Sequence, residues 1–125
     1  MKLKKLESIN VFGKKLTPCC KNTQTGFYRN GFCDTCPEDL GMHTVCVLLT
    51  KQFLEFSKKA GNDLSTPRPE MNFPGLKPGE RWCICARRWK EAKKNNVAPP
   101  LFLEATHKET LKIINLLDLQ QFVMN

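Results

Sequence analysis

Residues 62–80, NDLSTPRPEMNFPGLKPGE, carry four prolines and two glycines. Proline fixes φ and has no N–H to donate, so neither a regular helix nor a central strand can run through this stretch. Irregular segments of this length are uncommon in compact domains. Two readings fit. The segment is a functional loop, or it is a proline-stiffened wrapping in which Phe73 and Leu76 plug the core. The chain has 125 residues, a length that suits a single domain over residues 1–125 with a substantial core.

On either side of that segment the sequence spells short elements. Residues 9–16, INVFGKKL, read as two short strands about a Gly-Lys turn, and residues 18–43 read as loop with at most a short hairpin at Asn30-Gly31. TVCVLLT, from Thr44, is β-branched and apolar on both faces, the mark of a buried strand. Thr50 can cap a helix from Lys51 to about Ala60, where Leu49, Phe53, Phe56 and Ala60 form one stripe and Gly61 stops it. Arg81–Lys94 predicts a helix with Trp82, Cys85, Ala86, Trp89 and Ala92 on its apolar face, although Trp82, Ile84 and Ala86 also alternate as in a strand. A short strand is expected at 100–105, then a helix through Ile114 from a Thr106/Glu109 capping box, then a last helix at 118–123. This order predicts a small two-layer α+β domain: a short mixed sheet, helices packed on one face, and long ordered loops.

Twenty Lys and Arg against 12 Asp and Glu leave a net charge of +8. The lysines are scattered, among them Lys2, Lys4, Lys5, Lys14, Lys15, Lys21, Lys58, Lys59, Lys93 and Lys94, and Lys outnumbers Arg. They read as solvated turns and helix faces. A nucleic-acid surface pairs Arg and aromatics within a recognisable motif, so no specific nucleic-acid partner is expected. No apolar run reaches the ~18 residues of a membrane helix, and the lysines at the start are followed by no apolar signal region. A cytoplasmic protein without a membrane partner is expected, and with it reduced thiols rather than a disulfide framework.

Seven cysteines then stand as core residues, metal ligands or reactive groups. Cys33-x2-Cys36-x6-His43-x2-Cys46 has spacing that can surround tetrahedral zinc. Against it, Cys46 lies in an apolar run, and His43, three residues away, should point to the other face of a strand. No metal or other cofactor is therefore expected, with zinc on Cys33, Cys36, His43 and Cys46 the alternative. On a helix, Cys83 and Cys85 diverge by about 200 degrees, with Cys85 in the core stripe and Cys83 beside Arg87. Cys83 is then a candidate reactive thiol, and Cys33 or Cys46 with His43 is the best available nucleophile–base pair. His107 reads as a residue of the helix start.

TGFYRNGFC (25–33), PEDLGMHTVC (37–46), FLEFSKKAGNDLSTPRPE (53–70), FPGLKPGERWCICARRWKEA (73–92) and APPLFLEATH (98–107) stand together in this chain. With them the sequence resembles the bacterial family catalogued as domain of unknown function 2237, from about Asn10 to Leu119. The resemblance implies a small two-layer α+β fold and implies no activity. Cys36 and the strongly basic balance depart from the family pattern.

The polar loops offer another kind of site. Tyr28, Asp39, Asn62, Asp63, Arg68 and Arg81 can converge on a small polar ligand, with Ser65 and Thr66 alongside and Trp82 and Phe73 as apolar walls. In the opposing reading, Asp63, Ser65 and Thr66 only satisfy loop amides. The leading expectation is a domain binding an unidentified small polar ligand or metal near the 25–46 and 61–82 loops. The alternatives are a thiol-dependent enzyme using a cysteine with His43, and a basic module binding nucleic acid or protein. The sequence assigns no reaction and no oligomeric state.

Overall fold

A computed structural model describes residues 5–22 and 24–124; Lys2 and Lys4 lie outside them. Strand β1 (His43–Leu48) forms from the β-branched run, and Thr50 caps α1 (Lys51–Lys59) by accepting from the Phe53 amide. Gly61 follows at φ +94°, a conformation that side chains disfavour, and ends the helix. Residues 62–80 are irregular except for one 3₁₀ turn at Pro69–Met71 closed by an isolated antiparallel bridge between Arg68 and Phe73.

The expected helix from Arg81 is corrected. Arg81–Cys85 is strand β2, antiparallel to β1, and the helix α2 begins only at Ala86 and runs to Lys94. The apolar strand β1 needs a hydrogen-bonding partner, and the alternation of Trp82 and Ile84 supplies one whose apolar face matches it. Residues 100–105 form no strand of their own. Leu101 bridges β1 at Val47 and makes a parallel bridge with Val123, and Leu103–Ala105 turns in a 3₁₀ helix. The Thr106 capping box is corrected as well. Thr106 is buried, and its hydroxyl accepts from the Cys46 amide. His107 takes the cap position of a 3₁₀ turn at Lys108–Lys112, its Nδ1 accepting from the Glu109 amide. The last helix, α3, covers Leu116–Gln120.

The result is the expected α+β domain around a two-stranded sheet. One sheet face, with Val45, Val47, Trp82 and Ile84, packs on Phe53, Trp89, Leu101 and Leu119. The Trp89 indole N–H donates to the Pro99 carbonyl at 3.0 Å, and Phe122 meets its ring edge-on. The other face carries Cys46 and Cys83, opposite one another in register, against Cys19, Cys33 and Ala105. Among the described residues no helix is long and apolar enough to cross a membrane.

A reduced thiol set is not what the structure holds. Cys19 is joined to Cys46 and Cys33 to Cys83, closing sequence separations of 27 and 50 residues. Cys20, Cys36 and Cys85 stay outside these bridges.

Candidate active site

β1 and β2 do not pair evenly. His43 faces Cys85 and Val45 faces Ile84, so Thr44 is an extra residue on β1. Such a bulge turns one side chain to the opposite sheet face. Alternation alone would point His43 away from Cys46. The bulge restores it to the cysteine face, and because Cys83 and Cys85 lie two apart on a strand, Cys85 shares that face as well.

The consequence is a line of three side chains. Cys85 Sγ lies 3.5 Å from His43 Nε2, and His43 Nδ1 lies 2.7 Å from Asp39 Oδ1. The Asp39 carboxylate is buried and also accepts from the His43 amide and the Thr35 hydroxyl. A carboxylate can only accept, so Nδ1 carries a proton and Nε2 is left to deal with sulfur. The imidazole stacks at 6.4 Å on Phe27. Its pKa is raised from 6.5 to about 9, first by the hydrogen bond to Cys85, against the opposing effect of burial, with Asp39 adding to the rise.

Cys85 is also the cap residue of α2, and its side chain makes no cap hydrogen bond. The Ala86 amide is taken by the Met42 carbonyl, and Arg87 and Arg88 complete the first turn of the helix directly after Cys85. Orphan amides and the helix dipole favour negative charge at this end. Met42 itself sits at φ +48°, in the left-handed region, immediately before His43. Gly41 leaves room for the pair. A Cβ there would lie 2.9 Å from His43 Cε1 and 3.1 Å from Cys85 Sγ.

The pair opens on a cavity of about 770 Å³ whose walls come from both expected loops: Arg29, Asn62, Asp63, Arg68, Phe73 and Trp82 among them. Arg29 lies over the Trp82 ring at 5.4 Å, and neither Arg29 nor Arg68 has an acidic partner among the described residues. Asp63 accepts from the amides of Ser65 and Thr66 and from the Thr66 hydroxyl, which hold its pKa below the usual carboxylate range. It serves its own loop.

The other expected residues are placed differently. Arg81 is not on the cavity; it lies over the Phe102 ring and donates to the Cys19 carbonyl. The Tyr28 hydroxyl is buried without a nitrogen or oxygen partner, beside the Cys36 thiol, which pushes its pKa up to about 12. The alternative zinc set of Cys33, Cys36, His43 and Cys46 is not assembled: Cys33 and Cys46 are in different disulfides, Cys36 stands by Tyr28, and His43 engages Asp39 and Cys85. The same bridges remove Cys33, Cys46 and Cys83 as thiol nucleophiles. The sulfurs of Cys19, Cys33 and Cys46 do lie within 4.8 Å of one another, close enough to hold a metal but for the bridges. Sequence reasoning missed Cys85 because a helical period buries it. The alternation of Trp82 and Ile84 was the signal that could have exposed it.

A family model described as an uncharacterized protein conserved in bacteria, domain of unknown function 2237, matches residues 9–123. The chain belongs to that family. No curated protein matches it. In this family member the matched span contains Asp39, His43 and Cys85 together with both cavity loops.

Proposed function

We propose that this protein is a thiol-dependent enzyme that transfers or hydrolyses an activated acyl group through Cys85. The observation that carries this reading is the Cys85–His43–Asp39 line at the wall of a cavity. A nucleophile, a base and a residue that orients the base are the arrangement covalent catalysis by cysteine needs. Cys85 Sγ would bond to the acyl carbon while His43 Nε2 holds the thiol proton. The carbon–leaving-group bond breaks, and His43 returns that proton to the departing atom. Water or a second nucleophile then attacks the thioester and regenerates the thiol. The N-terminal turn of α2, which starts directly after Cys85, is the nearest source of backbone donors for the negative oxygen of each tetrahedral intermediate. Asp39 is a positioning residue.

The reading takes in the expected small-molecule site. Arg29 and Arg68, with no acidic partner among the described residues, favour a substrate with an anionic end, and Trp82 and Phe73 offer an apolar wall. A cytoplasmic setting belongs to the same proposal and requires both disulfides to form reversibly there.

The test is covalent labelling of the whole chain with an activated aryl ester, followed by intact-mass and peptide mapping. One acyl group on Cys85 is expected, absent in Cys85→Ser and at least tenfold slower in His43→Gln. Equal labelling of Cys20 or Cys36, or no dependence on His43, rejects the proposal.

A further inference from the structure

We propose that the four bridged cysteines are, when reduced, a tetrathiolate site for a soft divalent metal such as zinc. This inference is independent of the chemistry proposed for Cys85.

Cys46 and Cys83 are cross-strand neighbours in register, which puts their Cβ atoms on one face about 5 Å apart. Cys19 and Cys33 come down on that face from the preceding loop, one to each strand cysteine, with Cα separations of 5.6 and 5.4 Å. All four residues are buried, and the sulfurs of Cys19, Cys33 and Cys46 lie mutually within 4.8 Å, with Cys83 sulfur bonded to that of Cys33. Four thiolates at ~2.3 Å from zinc stand about 3.8 Å apart from one another. Cys83 sulfur is not part of that mutually close trio, so forming the site requires the two S–S bonds to open and Cys83 sulfur to swing toward Cys19 and Cys46. Loop-borne Cys19 and Cys33 can adjust to it while the strands hold the backbones of Cys46 and Cys83.

Reduced and empty, this point of the fold would hold four buried thiols. Each bridge takes two electrons and two protons from a thiol reductant, which leaves as its own disulfide. The metal then displaces the thiol protons to solvent. A tetrathiolate zinc centre carries a charge of −2. Arg81 is placed to offset it, with its guanidinium 3.6 Å over the Phe102 ring that packs on the cysteines and donating to the Cys19 carbonyl.

The experiment reduces the full chain with a phosphine, removes the reductant without air, and titrates with Co²⁺ as the spectroscopic probe. One Co²⁺ per chain is expected, with thiolate charge-transfer and tetrahedral ligand-field absorption that Zn²⁺ displaces. The unreduced protein should give no such bands. Cys20→Ser, Cys36→Ser and Cys85→Ser combined should keep the spectrum, and Cys19→Ser with Cys46→Ser should lose it. Absorbance needs no prior fold, because metal binding and folding can occur together. Absence of tetrahedral bands in the reduced chain overturns the proposal. So does their survival in the double variant, their loss in the triple variant, or their presence in the unreduced protein.

Discussion

His43 is a half-exposed imidazole between a buried carboxylate and a sulfur, and its proton affinity reports on both. Its pKa of about 9 owes most to Cys85 and less to Asp39. An NMR titration of the ring should therefore move most of the way back toward 6.5 in Cys85→Ala, and by less in Asp39→Asn. A reversed order contradicts the assignment of partners. Gly41 offers a second check. Gly41→Ala forces a methyl group against His43 and Cys85, at 2.9 and 3.1 Å. Alkylation of Cys85 should slow by about tenfold, the scale of ~1.4 kcal/mol for a displaced hydrogen bond. The melting temperature should barely move, because Gly41 sits in a half-buried loop.

At the scale of elements, the sheet and its bulge do most to build the site, and α2 does most to hold the sheet. Trp89 of α2 is fully buried, donates to Pro99 and meets Phe122. Trp89→Ala should cost about 3–5 kcal/mol in denaturant unfolding, since it leaves a large cavity and an unpaired carbonyl. A loss below 1 kcal/mol would mean that this helix is not anchored through its indole. The long 62–80 segment shows how proline works without regular structure. Asp63 gathers its own loop amides, Leu76 is buried, and Phe73 packs edge-on against Trp82. Asp63→Ala should accordingly loosen this loop to proteolysis rather than remove a ligand-binding charge.

Over the whole molecule, pH and redox state act through different residues. A histidine whose pKa is raised on folding stabilises the fold fully below its unfolded value of 6.5, and that contribution is lost as pH rises through about 9. Melting temperatures should fall across this window in the wild type and fall less in His43→Gln. The His43 side chain is 39% exposed, so solvent screens the effect and keeps it modest. Reduction in metal-free buffer removes two loop closures, worth at most about 4 kcal/mol each. A reduced chain as stable as the oxidised one would show that the cysteine face packs equally well unbridged.

Composition and local pattern were enough for β1, for α1 with its Thr50 cap and Gly61 stop, for the irregular 62–80 run and for the α+β class. Each of these rests on neighbours in the chain: propensity, a capping hydroxyl, or proline's missing N–H. Asn62, Asp63, Arg68 and Trp82, singled out from the sequence as polar and apolar groups near the 25–46 loop, line one cavity with Arg29 and His43 from that loop. The residues of the Cys85 line were not assembled that way. Arg81–Cys85 fits helix and strand periods equally until β1 claims it as a partner, and only in a strand do Cys83 and Cys85 share a face. His43 joins them because one extra residue, Thr44, is absorbed between two strands far apart in sequence. Which of seven thiols bridge and which stays beside an imidazole is set by distances across that sheet, and a one-dimensional pattern holds no record of them.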